Sequence, residues 1–302
     1  MSMRRPDTNR GVLWFMPKVT HTTDALETLR LEDETTGAVV HVAPARGGMV
    51  TRFSVGDDAV LFLDESTLRD PSKSVRGGIP VLFPIAGKLP GGRYEVEGRT
   101  YAMKQHGFAR DLPWTVVEES SGEQASVTLA LDATDATRAV YPFEFALRFT
   151  YRLRGGVLAV EQSFENRGDA PMPIQPGLHP YFFVPDATKG DARVDTDATR
   201  AYDNRTGHEV PAPRPIALAG QEVDMFLLDH RPRETVLHRP GRPAVRVAFG
   251  DDQGVLVVWT LPGRDFVCVE PWRTMAGALA NGTAPRVAPG AAEKTALHVS
   301  LV

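Results

Sequence analysis

Phe145–Arg154 reads FALRFTYRLR, and in it Phe145, Leu147, Phe149, Tyr151 and Leu153 alternate with Ala146, Arg148, Thr150 and Arg152. A period of two places all five large apolar side chains on one face, the signature of a strand with one side against a core. The same alternation recurs in Val127, Leu129 and Leu131, in Val245, Val247 and Phe249, and in Leu297, Val299 and Leu301. Between such runs lie φ-tolerant residues: Pro90-Gly91-Gly92, Arg154-Gly155-Gly156, Asn166-Arg167-Gly168 and Asp251-Asp252-Gln253-Gly254, each expected to reverse a hairpin. Helical periodicity is confined to one short candidate, Thr274 to Asn281, with Thr274 as N-cap and Gly282 as stop. Half-buried antiparallel strands with turns at this frequency predict an all-β chain: a large antiparallel β-sandwich forming one domain over residues 1–302. Arg10 to Thr23, Pro185 to Thr199 and Ala201 to Pro215 lack periodicity and are expected to be loops.

Composition narrows the function. Of 302 residues, 42% are apolar and 24% charged, enough for a sizeable core. A formal charge of −4, with neither Lys/Arg runs nor zinc-finger spacing, argues against nucleic acid. The lone Cys268 excludes an intrachain disulfide framework, fits a reducing compartment, and leaves no cysteine-based metal site to be drawn. The apolar run Val12 to Met16 is shorter than a signal-peptide core, and no later run approaches a membrane span. A soluble, cytoplasmic protein is expected.

Five fragments carry the residues that could do chemistry: RGGIPVLFP from Arg76, QHGFAR ending at Arg110, HPYF from His179, VDMF around Asp224, and VEPW ending at Trp272. Together and in this order they resemble the aldose 1-epimerase (galactose mutarotase-like) superfamily, from about Val39 to the C-terminus. The branches most like it are the hexose-6-phosphate mutarotases and the related bacterial aldose epimerases. The resemblance implies the galactose mutarotase-like supersandwich and exchange of the α and β anomers of a hexopyranose. A base removes the C1 hydroxyl proton, an acid protonates the ring oxygen, and the ring opens and recloses; no cofactor or metal is implied. The implied partner is a small sugar or sugar phosphate, with neither nucleic acid nor membrane.

Each residue has a plainer reading beside the implied one. Period two along Phe266 to Glu270 turns Glu270 to the face opposite Val267 and Val269, where it is either a structural carboxylate or, by the resemblance, the general base. Pro271 is expected to end ladder pairing, and Trp272 offers a sugar an apolar surface. His179 is either a partly buried histidine bonded to a backbone carbonyl or, by the resemblance, the general acid, a task that an unperturbed pKa of about 6.5 suits. His106 is a turn histidine or a residue binding substrate or polarising its ring oxygen, with Gln105 beside it able to donate to and accept from hydroxyls. Arg76 and Arg110 are solvated charges or, in the hexose-6-phosphate pattern, contacts to substrate and phosphate, which a guanidinium grips bidentately. Lys88 and Arg93 could add positive potential. Asp224 is a loop carboxylate or a hydroxyl-binding one, and Cys268 is read as a packing residue.

Leu82 to Tyr101 looks more like the general bacterial aldose epimerases, whereas RGGIP points to the phosphate-sugar branch, so substrate phosphorylation stays open. Two other functions compete: a non-catalytic carbohydrate-binding sandwich using Trp272 and Tyr181, and a glycoside hydrolase pairing Glu270 with Asp224.

Overall fold

Two eight-stranded antiparallel sheets dominate the computed structural model, which describes residues 16–23 and 26–302. Phe145–Arg154 lies inside the first sheet, between Ala125–Asp132 and Val157–Asn166. The sheet continues through Ala292–Leu301, Val245–Phe249 and Glu234–His238 to Arg193–Val194, and its opposite edge is Thr115–Ser120. Phe145, Leu147, Phe149, Tyr151 and Leu153 are all buried, as the alternation requires. Arg154 pairs with Val157, so Gly155 and Gly156 form a two-residue hairpin loop, both at positive φ (57° and 73°), a turn whose twist matches the strands it joins.

The second sheet runs His208–Pro211, Arg200–Asp203, Val223–Leu227, Val255–Thr260, Phe266–Trp272, Gly177–Leu178 and Val81–Leu82, with Tyr181–Phe183 also paired to Phe266–Trp272. Its inner face carries Val223, Leu227, Leu256, Val258, Val267 and Val269 into the same buried cluster as the aromatic row of the first sheet. A five-stranded sheet, from Lys18–Thr23 to Asp58–Ala59, adds Leu29, Leu31, Val40 and Val42 to that cluster. Burial of this apolar surface is the main favourable term for the fold. No helix among the described residues is long and apolar enough to cross a membrane.

Several expectations are corrected. Thr274 to Asn281 is not a helix: Thr274 is a bend and turns run from Ala276 to Gly282, because Gly277 sits at φ +86°, outside the helical region. Of the expected loops, Lys18–Thr23 is a strand paired with Glu27–Asp33, while residues 10–15 lie outside the described residues. Arg200–Asp203 and His208–Pro211 make a hairpin with Ala201 and Asp203 turned inward. Pro185 to Thr199 holds a 3-10 turn, Asp186–Asp191, and the short strand Arg193–Val194. Asp251 to Gly254 does not close a hairpin but carries the chain from one large sheet to the other. Pro90-Gly91-Gly92 precedes a hairpin whose reversal falls at Glu97 and Gly98, both at positive φ. Pairing also continues past Pro271, since Trp272 still has Val255 and Gly177 opposite it; proline lacks only its own N–H.

Candidate active site

The outer face of the second sheet forms one wall of a cavity of about 960 Å³. Register explains its composition. Tyr202 lies opposite Phe226, Phe226 opposite Val257 and Val257 opposite Glu270, giving one row across four strands. In the next row Asp224 faces Trp259, Trp259 faces Cys268 and Cys268 faces Tyr181. Directly opposed residues share a face, so both rows lie on the cavity side of the sheet while the valines between point to the core; Cys268 alone of these does not line the cavity and is buried among Tyr181, Trp259 and Phe266. Glu270 therefore occupies the face expected from its parity.

The eight residues given a catalytic or substrate-binding role from the sequence all line this cavity, whereas Cys268, read as a packing residue, does not. Glu270 is only 1% exposed and His179 8%. His179 Nδ1 stands 3.4 Å from Glu270 Oε1, and Trp272 Nε1–H donates to Glu270 Oε2 at 3.1 Å. His179 does not bond a backbone carbonyl through Nδ1: that nitrogen is buried without a hydrogen-bond partner. Its ring is fixed by Tyr181, stacked at 4.6 Å and 8°, and by Trp259, edge-on at 5.6 Å. Gly177 is required two residues earlier, because a Cβ there would stand 2.6 Å from the Trp272 indole.

His106 sits at φ +68°, and a Cβ on the following Gly107 would fall 2.1 Å from the Phe83 carbonyl oxygen. This tight turn drives the imidazole inward, where Gly87 N–H donates to Nδ1 at 3.1 Å. The proton therefore sits on Nε2, which lies 3.1 Å from the Gln105 side-chain nitrogen, another donor, so neither N–H is taken up by the other. His106 is thus a donor held toward the cavity.

Burial pushes the Glu270 carboxyl well above the usual carboxylate range; Asp224 adds to this, and the Trp272 N–H and Arg110 oppose it. Burial brings His179 down to about 3, helped by the Arg110 and Arg76 charges. Asp224 is raised by burial, against a 2.6 Å bond from Asn204 Nδ2. Arg76 and Arg110 have no carboxylate within ion-pair distance among the described residues. Arg110 donates from Nη2 to the Gln105 carbonyl at 3.2 Å, while its buried Nε has no partner. Arg76 lies over the Trp259 ring at 5.8 Å. Lys73 and Lys88 also line the cavity; Arg93 does not. Basic groups thus share the cavity with the carboxylates of Glu222, Asp224 and Glu270.

Sequence reasoning missed Tyr202, Asn204, Trp259 and Lys73 as lining residues. Trp259 carries the one available signal, an aromatic at the cavity parity of its strand. Gln175 was also missed: its buried amide donates to the carbonyls of Ala86 and Met275 and accepts from Leu279 N–H, tying together three wall segments.

The family model described as Aldose 1-epimerase matches residues 27–290. Proteins named "Putative glucose-6-phosphate 1-epimerase" from Escherichia coli K12 and Cenchrus ciliaris are each 26% identical. Their alignments cover 71% of this chain and 73% of the first protein, and 74% of this chain and 72% of the second. The Slr1438 protein of Synechocystis sp. PCC 6803 superposes with a TM-score of 0.89 at 36% identity, over 94% of this chain and 98% of that one. The galactose mutarotase related enzyme of Lactobacillus acidophilus shares the fold, with a TM-score of 0.75 at 22% identity over 94% and 97%. With all five fragments contributing to its cavity and a family match spanning most of its length, the chain belongs to the aldose 1-epimerase family.

Proposed function

We propose that this protein interconverts the α and β anomers of a hexopyranose, with a hexose 6-phosphate as the favoured substrate, through Glu270 as general base and His179 as general acid. The reading treats residues 1–302 as one domain, supported by the core cluster that runs through both large sheets and the N-terminal sheet. The observation that carries it is the buried pair itself, His179 Nδ1 and Glu270 Oε1 at 3.4 Å, in a cavity that also holds two arginines without carboxylate partners among the described residues.

Proton count decides how the pair can work. A neutral imidazole beside a protonated carboxyl holds the same number of protons as imidazolium beside carboxylate. Burial favours the first arrangement; the forward step starts from the second. Glu270 carboxylate takes the C1 hydroxyl proton while His179 imidazolium gives its proton to the ring oxygen. The C1–O5 bond breaks, an aldehyde forms, and the pair is left neutral. Rotation about C1–C2 and reversal of the transfers deliver the other anomer and restore the starting ions. His106 Nε2–H, Gln105 and Asp224 supply donors and acceptors for sugar hydroxyls, and Trp272 an apolar face.

Arg76 and Arg110 favour a phosphorylated sugar. A phosphate on them would satisfy the unpartnered Arg110 Nε. It would also cancel two positive charges that hold His179 neutral, and so favour the ion-pair state from which ring opening begins. The test is exchange NMR of glucose 6-phosphate, glucose and galactose side by side. Faster exchange of the phosphate ester than of either free hexose supports the assignment. Equal acceleration of all three would remove the phosphate role, and tight binding without acceleration would favour a carbohydrate-binding sandwich.

A further inference from the structure

We propose that His179 and Glu270, which line the cavity, and Cys268, buried behind them, form a binding site for a thiophilic divalent cation, and that its occupancy shuts off the acid–base pair. One donor atom from each residue lies within 4.8 Å of the others, and all three side chains are buried. Chain order hides the grouping, because His179 is far in sequence from the other two. Cys268 and Glu270 are i and i+2 on Phe266–Trp272, so the pleat turns both to one face. His179 lies in the neighbouring segment between Gly177, which pairs with Trp272, and Tyr181, which pairs with Cys268. It therefore stands level with Glu270.

Imidazole, thiolate and carboxylate are the donor types that suit zinc, and three protein ligands leave a fourth position open toward the cavity. Magnesium and calcium, which prefer shells of oxygen, would find a single carboxylate here. A second observation points the same way: His179 Nδ1 is buried with no hydrogen-bond partner, and its 3.4 Å approach to Glu270 lacks the alignment of a bond. A buried polar atom left in that state is costly, and a ligand that engages the ring relieves it. Charge balances as well. The thiol proton and any carboxyl proton leave to solvent, and one M²⁺ with thiolate, carboxylate and neutral imidazole sums to zero net charge, so that no uncompensated charge is left in the dry floor. Inhibition, unlike binding, rests on the roles given above to His179 and Glu270, since the cation would take both.

The full chain, purified without a polyhistidine tag, is titrated with Co²⁺ as a spectroscopic probe. A thiolate-to-cobalt charge-transfer absorption that saturates at one equivalent and is displaced by Zn²⁺ is expected, and it should be absent from Cys268→Ser and Cys268→Ala. Zn²⁺ should slow anomerisation by the wild type, and Cys268→Ser should raise the inhibitory concentration by about tenfold or more, since even outer-shell changes cost that much affinity. Mg²⁺ should do neither. No charge-transfer absorption in the wild type, or Zn²⁺ inhibition unchanged in both cysteine variants, would overturn the site. The absorption is read without sugar, so its outcome is separate from that of the proposed reaction.

Discussion

Replacing Trp272 by Phe tests how the site keeps a buried carboxylate usable as a base. The indole N–H is the hydrogen-bond donor given to Glu270 Oε2, at 3.1 Å, while the ring packs edge-on against Phe226 at 5.3 Å and His106 at 5.8 Å. Phenylalanine keeps most of that packing and removes the donor. A hydrogen bond to a charged group is worth about 1.5–3 kcal/mol, and here it favours only the ionised form of Glu270. At about 1.36 kcal/mol per pH unit, its loss raises Glu270 by roughly one to two further units; because burial already favours carboxyl beside neutral imidazole, this lowers the share of the reactive ion pair and moves the basic limb of the kcat/KM profile up. The plateau therefore falls about 10- to 100-fold, while the acidic limb, where neutral His179 gains a proton beside an already protonated Glu270, stays in place and the rate above the basic limb is largely kept. The assay is anomerisation of glucose 6-phosphate by exchange NMR across both limbs. An unchanged plateau with an unmoved basic limb would refute the reasoning. So would a uniform loss at every pH, which would make the indole a positioning group and not an electrostatic one.

Three further outcomes follow from the same electrostatics. Glu270 has a native pKa raised above its ordinary 4.5, so between the two values the unfolded chain has released a proton that the native state keeps, and stability falls as pH rises. Glu270→Gln should therefore melt higher than wild type at neutral pH, with the gain gone below about pH 4.5. His179 is shifted the other way, to about 3 from 6.5, so the unfolded state binds the extra proton in that window and stability drops as pH falls through it. Urea midpoints at several pH values should show a loss of a few kcal/mol that His179→Gln largely removes. Arg110→Met should raise KM for glucose 6-phosphate by about 10- to 100-fold, the size of a lost charge-assisted contact, and leave KM for glucose much less changed; equal effects would remove the phosphate role from Arg110.

Much of this was legible where local pattern and tertiary demand agree. The Phe145–Leu153 alternation survives because one face is buried against the second sheet, and the parity of Glu270 survives because pleating is a local property of the strand. Pairing partners were not legible. The wall of the site is assembled from Val81–Leu82, Gly177–Leu178, Arg200–Asp203, Val223–Leu227, Val255–Thr260 and Phe266–Trp272, whose adjacency follows from sheet order and not from sequence order. Trp259 and Tyr202 enter the cavity through that register, and Asn204 follows directly after the strand Arg200–Asp203. His179 carries no local sign of its neighbour Glu270, and its assignment came from the resemblance of HPYF to a family motif. Thr274 to Asn281 failed because a capping residue and a stop do not outweigh a left-handed Gly277 between them. Arg200–Pro211 was missed because an edge hairpin with one exposed strand shows little apolar alternation.

The most direct test of the account compares the anomerisation rate of glucose 6-phosphate with wild-type protein, with Glu270→Gln, and with no protein, alongside isothermal titration of the sugar into the variant. The account predicts acceleration by the wild type and a rate near the protein-free control for Glu270→Gln, with binding largely retained. A variant that exchanged the anomers as fast as the wild type would contradict it, because the carboxylate would then not be the base.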